Sequence, residues 1–582
     1  MKRRWSILLF SFFIIILLSA ASFTTCQTWH EKLRTRQDFT AYLDGLFADW
    51  VSADTITLHY QLADPSDYQI FRESVSFSNS YLKNTADYQK ELASLHAFKK
   101  ESFDASQQEI YHILEDYLER QRDLSKFPLY QTIFSPTTGI QAQLPITLCE
   151  FPIRSEDDLL IYFSLLEEIP DYFQELYELE QKKAEQGLFC SDRILDQIIA
   201  QMDASLNNPE DHPLITSFSD HIKNLPLKRH QTQTYTIRNK TLVLDTVLPA
   251  YKTLRDHLLT LKGSGKNALG ICYYDQGKAY YSALAAALTG SDASPTEMIA
   301  MTEKNIHSLY RELEEILYLY PNAYEQFLDT DLEDYIPTSV SSTLEWLRQS
   351  LPDSFPSAPD TNYTVKYVPT CLENYVSPAF YMIPSIDQFQ NNTIYMNKKQ
   401  LPSLSSSYSV LAHEGYPGHL YQTTYFYEHL KHPVLSLCNY EGYVEGWAVY
   451  AENLSYNFLD FGNNSSTIAR LYQINHLLNL AIPARIDLGV HYEGWHRKNV
   501  RNFLANLGLE TPEIDQDIFD AILAEPGSYL SYYIGYLEIQ SLEKKYMEKM
   551  KKYPEKTSFY RLFLNHGPCD FSFLNNTFDE AR

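Results

Sequence analysis

The sequence predicts a mainly α-helical protein with one small β-sheet, and three observations carry that prediction. Apolar residues recur at helical spacing over most of the chain. Glycine is scarce, at 19 of 582 residues, which disfavours sandwiches and barrels built on tight turns. Extended patterns are few and short.

The clearest helix begins at Ser294-Pro295-Thr296-Glu297. This is a capping box, with Ser as N-cap, Pro at the first helical position and Glu at the third. Ile299, Ile306, Leu309, Leu313, Ile316 and Leu317 then form an apolar stripe. From Gln107 to Arg120, residues Ile110, Ile113, Leu114 and Leu118 share one face, and Asp157 to Glu180 repeats the pattern. Such stripes build core. Tyr363 to Val368 alternates as a strand does, and Thr393 to Asn397 is a second short strand. A Ser-rich connection, Ser403 to Ser407, leads into a histidine-bearing segment. A strand ahead of such a segment suits an edge that holds an extended substrate. The expected organisation is a leader over 1–25, a helical N-terminal region over 26–260 and a metal-site region over 261–582.

The net charge of -26 repels phosphate backbones and argues against nucleic-acid partners. Lys2, Arg3 and Arg4 precede an apolar run from Trp5 to Leu18 and the small residues Ser19 to Ser22. That pattern is a secretory signal. The run nearly reaches spanning length, so a retained membrane anchor is the alternative. Cys26 raises lipid attachment, although Phe23, Thr24 and Thr25 make a poor attachment box. The chain is therefore expected outside the cytoplasm or at the cell surface. Six further Cys (149, 190, 272, 371, 438, 569) contain no C-x-x-C pair and leave disulfide pairing open. Oligomeric state is not legible.

The chemistry lies in Leu411-Ala412-His413-Glu414-Gly415-Tyr416-Pro417-Gly418-His419. A zinc hydrolase needs three protein ligands, an open position for water, and a carboxylate to take that water's proton. The usual helical solution is H-E-x-x-H, with the histidines at i and i+4. Here they are at i and i+6. On a straight helix, at roughly 100° per residue, they would stand about 120° apart. Pro417 lacks the N–H and clashes with the carbonyl of His413, and Gly418 relaxes the backbone. A break there returns His419 to the face of His413. His413 and His419 are thus candidate zinc ligands and Glu414 the candidate base. Two His and one Glu also suit other divalent ions.

The third ligand is expected on a second helix, in Glu445-Gly446-Trp447-Ala448-Val449-Tyr450-Ala451-Glu452. This run resembles the E-G-F-A-x-Y-x-E segment of aminopeptidase N-like gluzincins, in which the Glu before Gly binds zinc. The resemblance makes Glu445 the ligand, with Glu441 a weaker choice. Glu452, seven residues on, lies on nearly the same face and is placed to orient a ligand His.

Together, H-E-G-Y-P-G-H and E-G-W-A-x-Y-x-E resemble the bacterial family called domain of unknown function 885. Arg485-Ile486-Asp487-Leu488-Gly489-Val490-His491 with Gly494-Trp495 also fits. So do Pro526-Gly527 leading to Tyr532 and Gly535, Ala279-Tyr280-Tyr281, and Thr289 to Asp292. The likeness covers roughly residues 40 to 570. It implies a large helical zincin-like fold with a deep cleft, similar to carboxypeptidase Taq. The family often places a second His after the motif His, where this chain has Leu420.

Tyr532 and His491 are candidate donors to an oxyanion. Arg485 is a candidate clamp for a substrate carboxylate, unless it pairs with Asp487. The functional expectation is zinc-dependent hydrolysis of short peptides, with exopeptidase or carboxypeptidase action favoured. Hydrolysis of a non-peptide amide or ester, and a non-catalytic binding protein that keeps the fold, are the competing readings.

Overall fold

The computed structural model describes residues 31–71, 74–78, 83–368, 370, 373, 376–509, 514–551 and 558–580. The leader 1–25, Cys26 and Cys371 lie outside the described residues. Cys190, Cys272, Cys438 and Cys569 are free thiols, so they form no disulfide framework.

The fold is mainly helical, and the predicted stripes are what bury it. The helix after Ser294 spans Pro295–Leu319, and its capping box forms in both directions. Met298, Ile306, Leu309 and Ile316 are buried along it, whereas Leu317 at the edge of the stripe is exposed. The helix Ala105–Leu124 buries Ile110, Ile113, Leu114 and Leu118. Glu156–Glu185 runs through Pro170 and buries Leu159, Phe163, Leu166 and Phe173. No described helix is long and apolar enough to cross a membrane.

The cores do not divide the chain at residue 260. The larger core joins Phe39–Leu118 of the first helices to residues Ile271–Phe578. The second core is built from residues 133–258, with Phe77 and Ala524 added. The early helices therefore belong with the half that carries the histidines, because their apolar faces find partners there.

Three strands make one sheet: β1 (Asn362–Tyr367), β2 (Ala379–Met382) and β3 (Asn391–Met396). The order is β1-β3-β2, with β3 parallel to β1 and antiparallel to β2. This corrects the expected edge. The strand ahead of the histidine helix, β3, is central and paired on both sides. Among the described residues, the open edge beside the site belongs to β2, a four-residue strand without a sequence signature.

Five helices position the site: α1 (Leu404–Glu414), α2 (His419–Glu428), α3 (Glu441–Ser455), α4 (Ser465–Leu488) and α5 (Ser528–Met550). Helices α3 and α5 cross almost backbone to backbone. A Cβ on Gly446 would stand 2.4 Å from the Gly535 carbonyl carbon, and one on Gly535 would stand 2.0 Å from the Gly442 oxygen. Only hydrogen fits at either place, so the glycines set the helix separation.

Gly535→Ala is expected to force α3 and α5 apart and cost about 1–3 kcal/mol, the usual range for overpacking. Urea unfolding of the purified variant reads the loss. A variant as stable as the parent would mean that the crossing yields without strain.

Candidate metal centre

Helix α1 ends at Glu414, and α2 begins at His419. The four residues between them fold back on the end of α1. The Tyr416–Pro417 bond is cis. Gly418 N–H donates to the Ala412 carbonyl at 3.0 Å. A Cβ on Gly418 would stand 1.8 Å from the His413 oxygen, so close backbone approach demands glycine there. Trp447 of α3 donates its indole N–H to the Pro417 carbonyl at 2.8 Å and ties the turn to the second motif. Leu420, where the resemblance expects a second His, is fully buried in the larger core.

The reversal brings the two histidine rings together, with centroids 4.6 Å apart and planes at 87°. From α3, Glu445 Oε2 lies 3.4 Å from His413 Nε2 and 3.5 Å from His419 Nε2. One donor atom from each residue lies within 4.8 Å of the others. Ligand atoms about 2.1 Å from one tetrahedral ion stand roughly 3.4 Å apart, so two of these spacings match zinc geometry. Glu445 Oε2 is also buried without a hydrogen-bond partner. Buried carboxylate oxygens are normally satisfied, and a cation would satisfy this one. The donor set of two imidazoles and a carboxylate therefore fits a divalent metal.

The surroundings hold the donors in place. His413 donates Nδ1–H to Glu452 Oε1 at 2.7 Å, which leaves Nε2 aimed at Glu445. The other Glu452 oxygen faces His476 Nε2 of α4 at 3.5 Å. Burial opposes charge on His413, but the Glu445 carboxylate close to Nε2 and the bond to Glu452 outweigh it and hold the ring's pKa well above its ordinary value. Burial likewise opposes charge on Glu445. The charge of His419, with both imidazole rings close to Oε2, prevails and holds it below the usual carboxylate range. Glu441, one turn earlier, is pushed up to about 7 by burial and by the Glu445 charge.

Glu414 is buried, and its Oε2 accepts the Tyr381 backbone N–H of β2 at 2.7 Å. This bond links the carboxylate beside His413 to the free sheet edge. Tyr532 of α5 reaches the cluster across the glycine crossing. Its ring lies 6.2 Å from that of His413, and its hydroxyl meets Glu445. The Glu445 charge, and then burial, hold that hydroxyl well above the normal phenol pKa.

Two expected residues do not join the cluster. His491 is a structural residue: Ile271 N–H donates to its Nδ1 at 3.1 Å, and its Nε2–H donates to the Ile522 carbonyl at 2.9 Å. Burial pushes its pKa down to about 4, so the ring stays neutral and has no free nitrogen for an oxyanion. Arg485 is 3% exposed. It bonds Glu303 and Glu493 at 2.8 and 2.7 Å and stacks on Trp495 at 4.3 Å. Its remaining Nη1 is shut from solvent, so no substrate carboxylate reaches it. Nor does it pair with Asp487, which accepts bonds from Tyr281 and from Gly527 N–H.

The sequence reading missed two contributors. His476 stands in a helix with no motif around it, and only the fold sets it against Glu452. Tyr381 contributes a main-chain N–H, which no side-chain pattern reveals.

The family model described as "Bacterial protein of unknown function (DUF885)" matches residues 74–577. The chain belongs to that family. A crystal structure from Colwellia psychrerythraea, of a protein provisionally named a lipoprotein, has the same fold. Its TM-score is 0.75 at 18% identity, covering 94% of this chain and 98% of that one. A Shewanella oneidensis protein, also provisionally named a lipoprotein and of unknown function, gives a TM-score of 0.59 at 16% identity. That match covers 88% of this chain and 94% of the other. No curated protein matches the chain. The DUF885 fold thus extends over nearly the whole polypeptide, both motifs included.

Arg485→Ala is expected to destabilise the protein by about 2 kcal/mol, through lost packing on Trp495 and lost ion pairs, and to leave metal uptake by the folded protein unchanged. Thermal unfolding and metal content measured on one preparation check both halves.

Proposed function

We propose that this DUF885 protein is an exported zinc-dependent hydrolase that cleaves amide bonds in short peptides. The convergence of His413 Nε2, His419 Nε2 and Glu445 Oε2, with Glu414 adjacent, carries the reading. Export is supported by the basic and apolar N-terminus and by the lipoprotein names given to the two similar structures.

His413, His419 and Glu445 would hold the ion, as in a zincin. Zinc, when bound, supplies Lewis-acid polarisation of a water and of the scissile carbonyl. Glu414 takes the proton of the attacking water and passes it to the departing nitrogen. Glu452 fixes the His413 ring and keeps its Nε2 lone pair free. Tyr532 donates its hydroxyl to the oxyanion that develops on the substrate. Arg485 is committed to Glu303 and Glu493, so carboxypeptidase action loses the particular argument that this residue gave it.

Three variants divide the reading. Glu414→Gln is expected to keep zinc and lose about 10²–10⁴ in turnover. Glu445→Ala is expected to lose the zinc. Glu452→Gln is expected to weaken zinc affinity by about 10–100-fold. Elemental analysis and competition with a chromophoric chelator read the metal, and mass spectrometry of a digested peptide library reads the cuts. A protein without zinc, or activity untouched in Glu414→Gln, would sink the mechanism. Zinc uptake with no peptide cut would favour a non-peptide amide or ester.

A further inference from the structure

We infer that the cavity against the outer face of β2 is a specificity subsite. It takes one large apolar or aromatic side chain of a peptide extended along the free edge of that strand. The inference rests on the peptidase reading and names the side chain that the site selects.

Register sets which groups face outward. Asn397 N–H donates to the Pro378 carbonyl at 2.8 Å, so that pair is a hydrogen-bonded one. In an antiparallel ladder such pairs alternate. Phe380 and Met382, opposite Tyr395 and Thr393, therefore bond to β3. The main-chain groups of Ala379 and Tyr381 then point away from β3, to the open edge. The Tyr381 N–H bond to Glu414 marks the same phase independently. The free edge thus runs directly past the carboxylate beside the metal-ligand cluster.

Side chains alternate in the other direction. Ala379 and Tyr381 are buried in the larger core. Phe380 and Met382 lie on the opposite face and line a cavity of about 460 Å³. That volume is within the range of ligand pockets, large enough for an aromatic side chain. Its far walls come from the helices Thr55–Gln61 and Ile140–Cys149, which contribute Ile56 and Ile146. Among the described residues, none that lines it is charged.

Several polar groups in its walls are already engaged. Tyr60 donates to the Thr147 carbonyl at 2.9 Å, Thr57 to Asp54 at 2.7 Å, and Gln143 to the Thr137 carbonyl at 2.8 Å. A strand added to an edge sends alternate side chains to each face, where pockets discriminate among them. One face here is closed by core, and the other opens on an uncharged cavity. A charged side chain placed there would lose water and find no partner.

Gln143 is exposed at the cavity, so it can be exchanged without disturbing a core. Gln143→Trp fills the space, and Gln143→Arg adds a charge. With the zinc-loaded full chain and a peptide library, one substrate position is expected to prefer Phe, Leu or Trp. Gln143→Trp is expected to lower kcat/KM for those peptides by about ten-fold or more, with Ala peptides little changed. Gln143→Arg is expected to raise the rate on peptides with Asp or Glu at that position. Unchanged preferences in both variants overturn the subsite. Binding of the same peptides to the Glu414→Gln protein by calorimetry separates the subsite from the chemistry. Tighter binding of Phe than Ala peptides, abolished by Gln143→Trp, upholds the subsite even if the parent cuts no peptide. Equal binding of the two overturns it.

Discussion

Everything at the centre depends on one chain reversal, residues 415–418. A histidine six residues after another on a continuous helix would face elsewhere. The reversal removes that phase error by ending one helix and starting the next. It is over-determined. The Gly418 amide caps the end of α1, the absence of a side chain at Gly418 permits contact with the His413 carbonyl, and the Trp447 indole fixes the Pro417 carbonyl. That last bond matters most for the site, because Trp447 stands two residues from Glu445. One interaction aligns the turn that carries both histidines with the helix that carries the carboxylate.

A second constraint operates from the far side. Glycines at the α3–α5 crossing draw Tyr532 to Glu445. The glycine of the E-G-W-A run is therefore a packing element, and the glutamate before it inherits its position. Behind the cluster, Glu452 is shared between His413 and His476. The donors are held from three helices, so their directions do not rely on any one of them.

Much of this was legible in the sequence wherever the cause is local. The Ser294 box, the stripe at Ile110 to Leu118 and the Pro-Gly break all act within a few residues, and each takes the expected form. The two short strands were legible as strands, but not their order, because pairing is decided by chain segments far apart. Ala379–Met382 is four residues long and gains its place only from β3. The errors share that origin. Arg485 finds Glu303, 182 residues away, and His491 finds backbone groups at Ile271 and Ile522. A charged or titratable residue in a suggestive run reveals its chemistry only when its partners are known, and those partners are nonlocal.

The division of the cores bears on how the chain reaches this state. Residues 133–258 enclose most of an apolar core of their own, so that lobe can close while the rest is still incomplete. The first helices, Phe39 to Leu118, pack partly on one another, as Phe39 does on Phe103 and Tyr111, but their core partners extend to Phe578. Completing their burial pairs segments several hundred residues apart. Loop-closure entropy and long-range contacts both slow such a step. The histidines, the glutamates and Tyr532 all lie in the part that closes late. Metal-binding geometry is consequently a property of the finished chain, and a metal offered earlier would meet the donors scattered along the polymer.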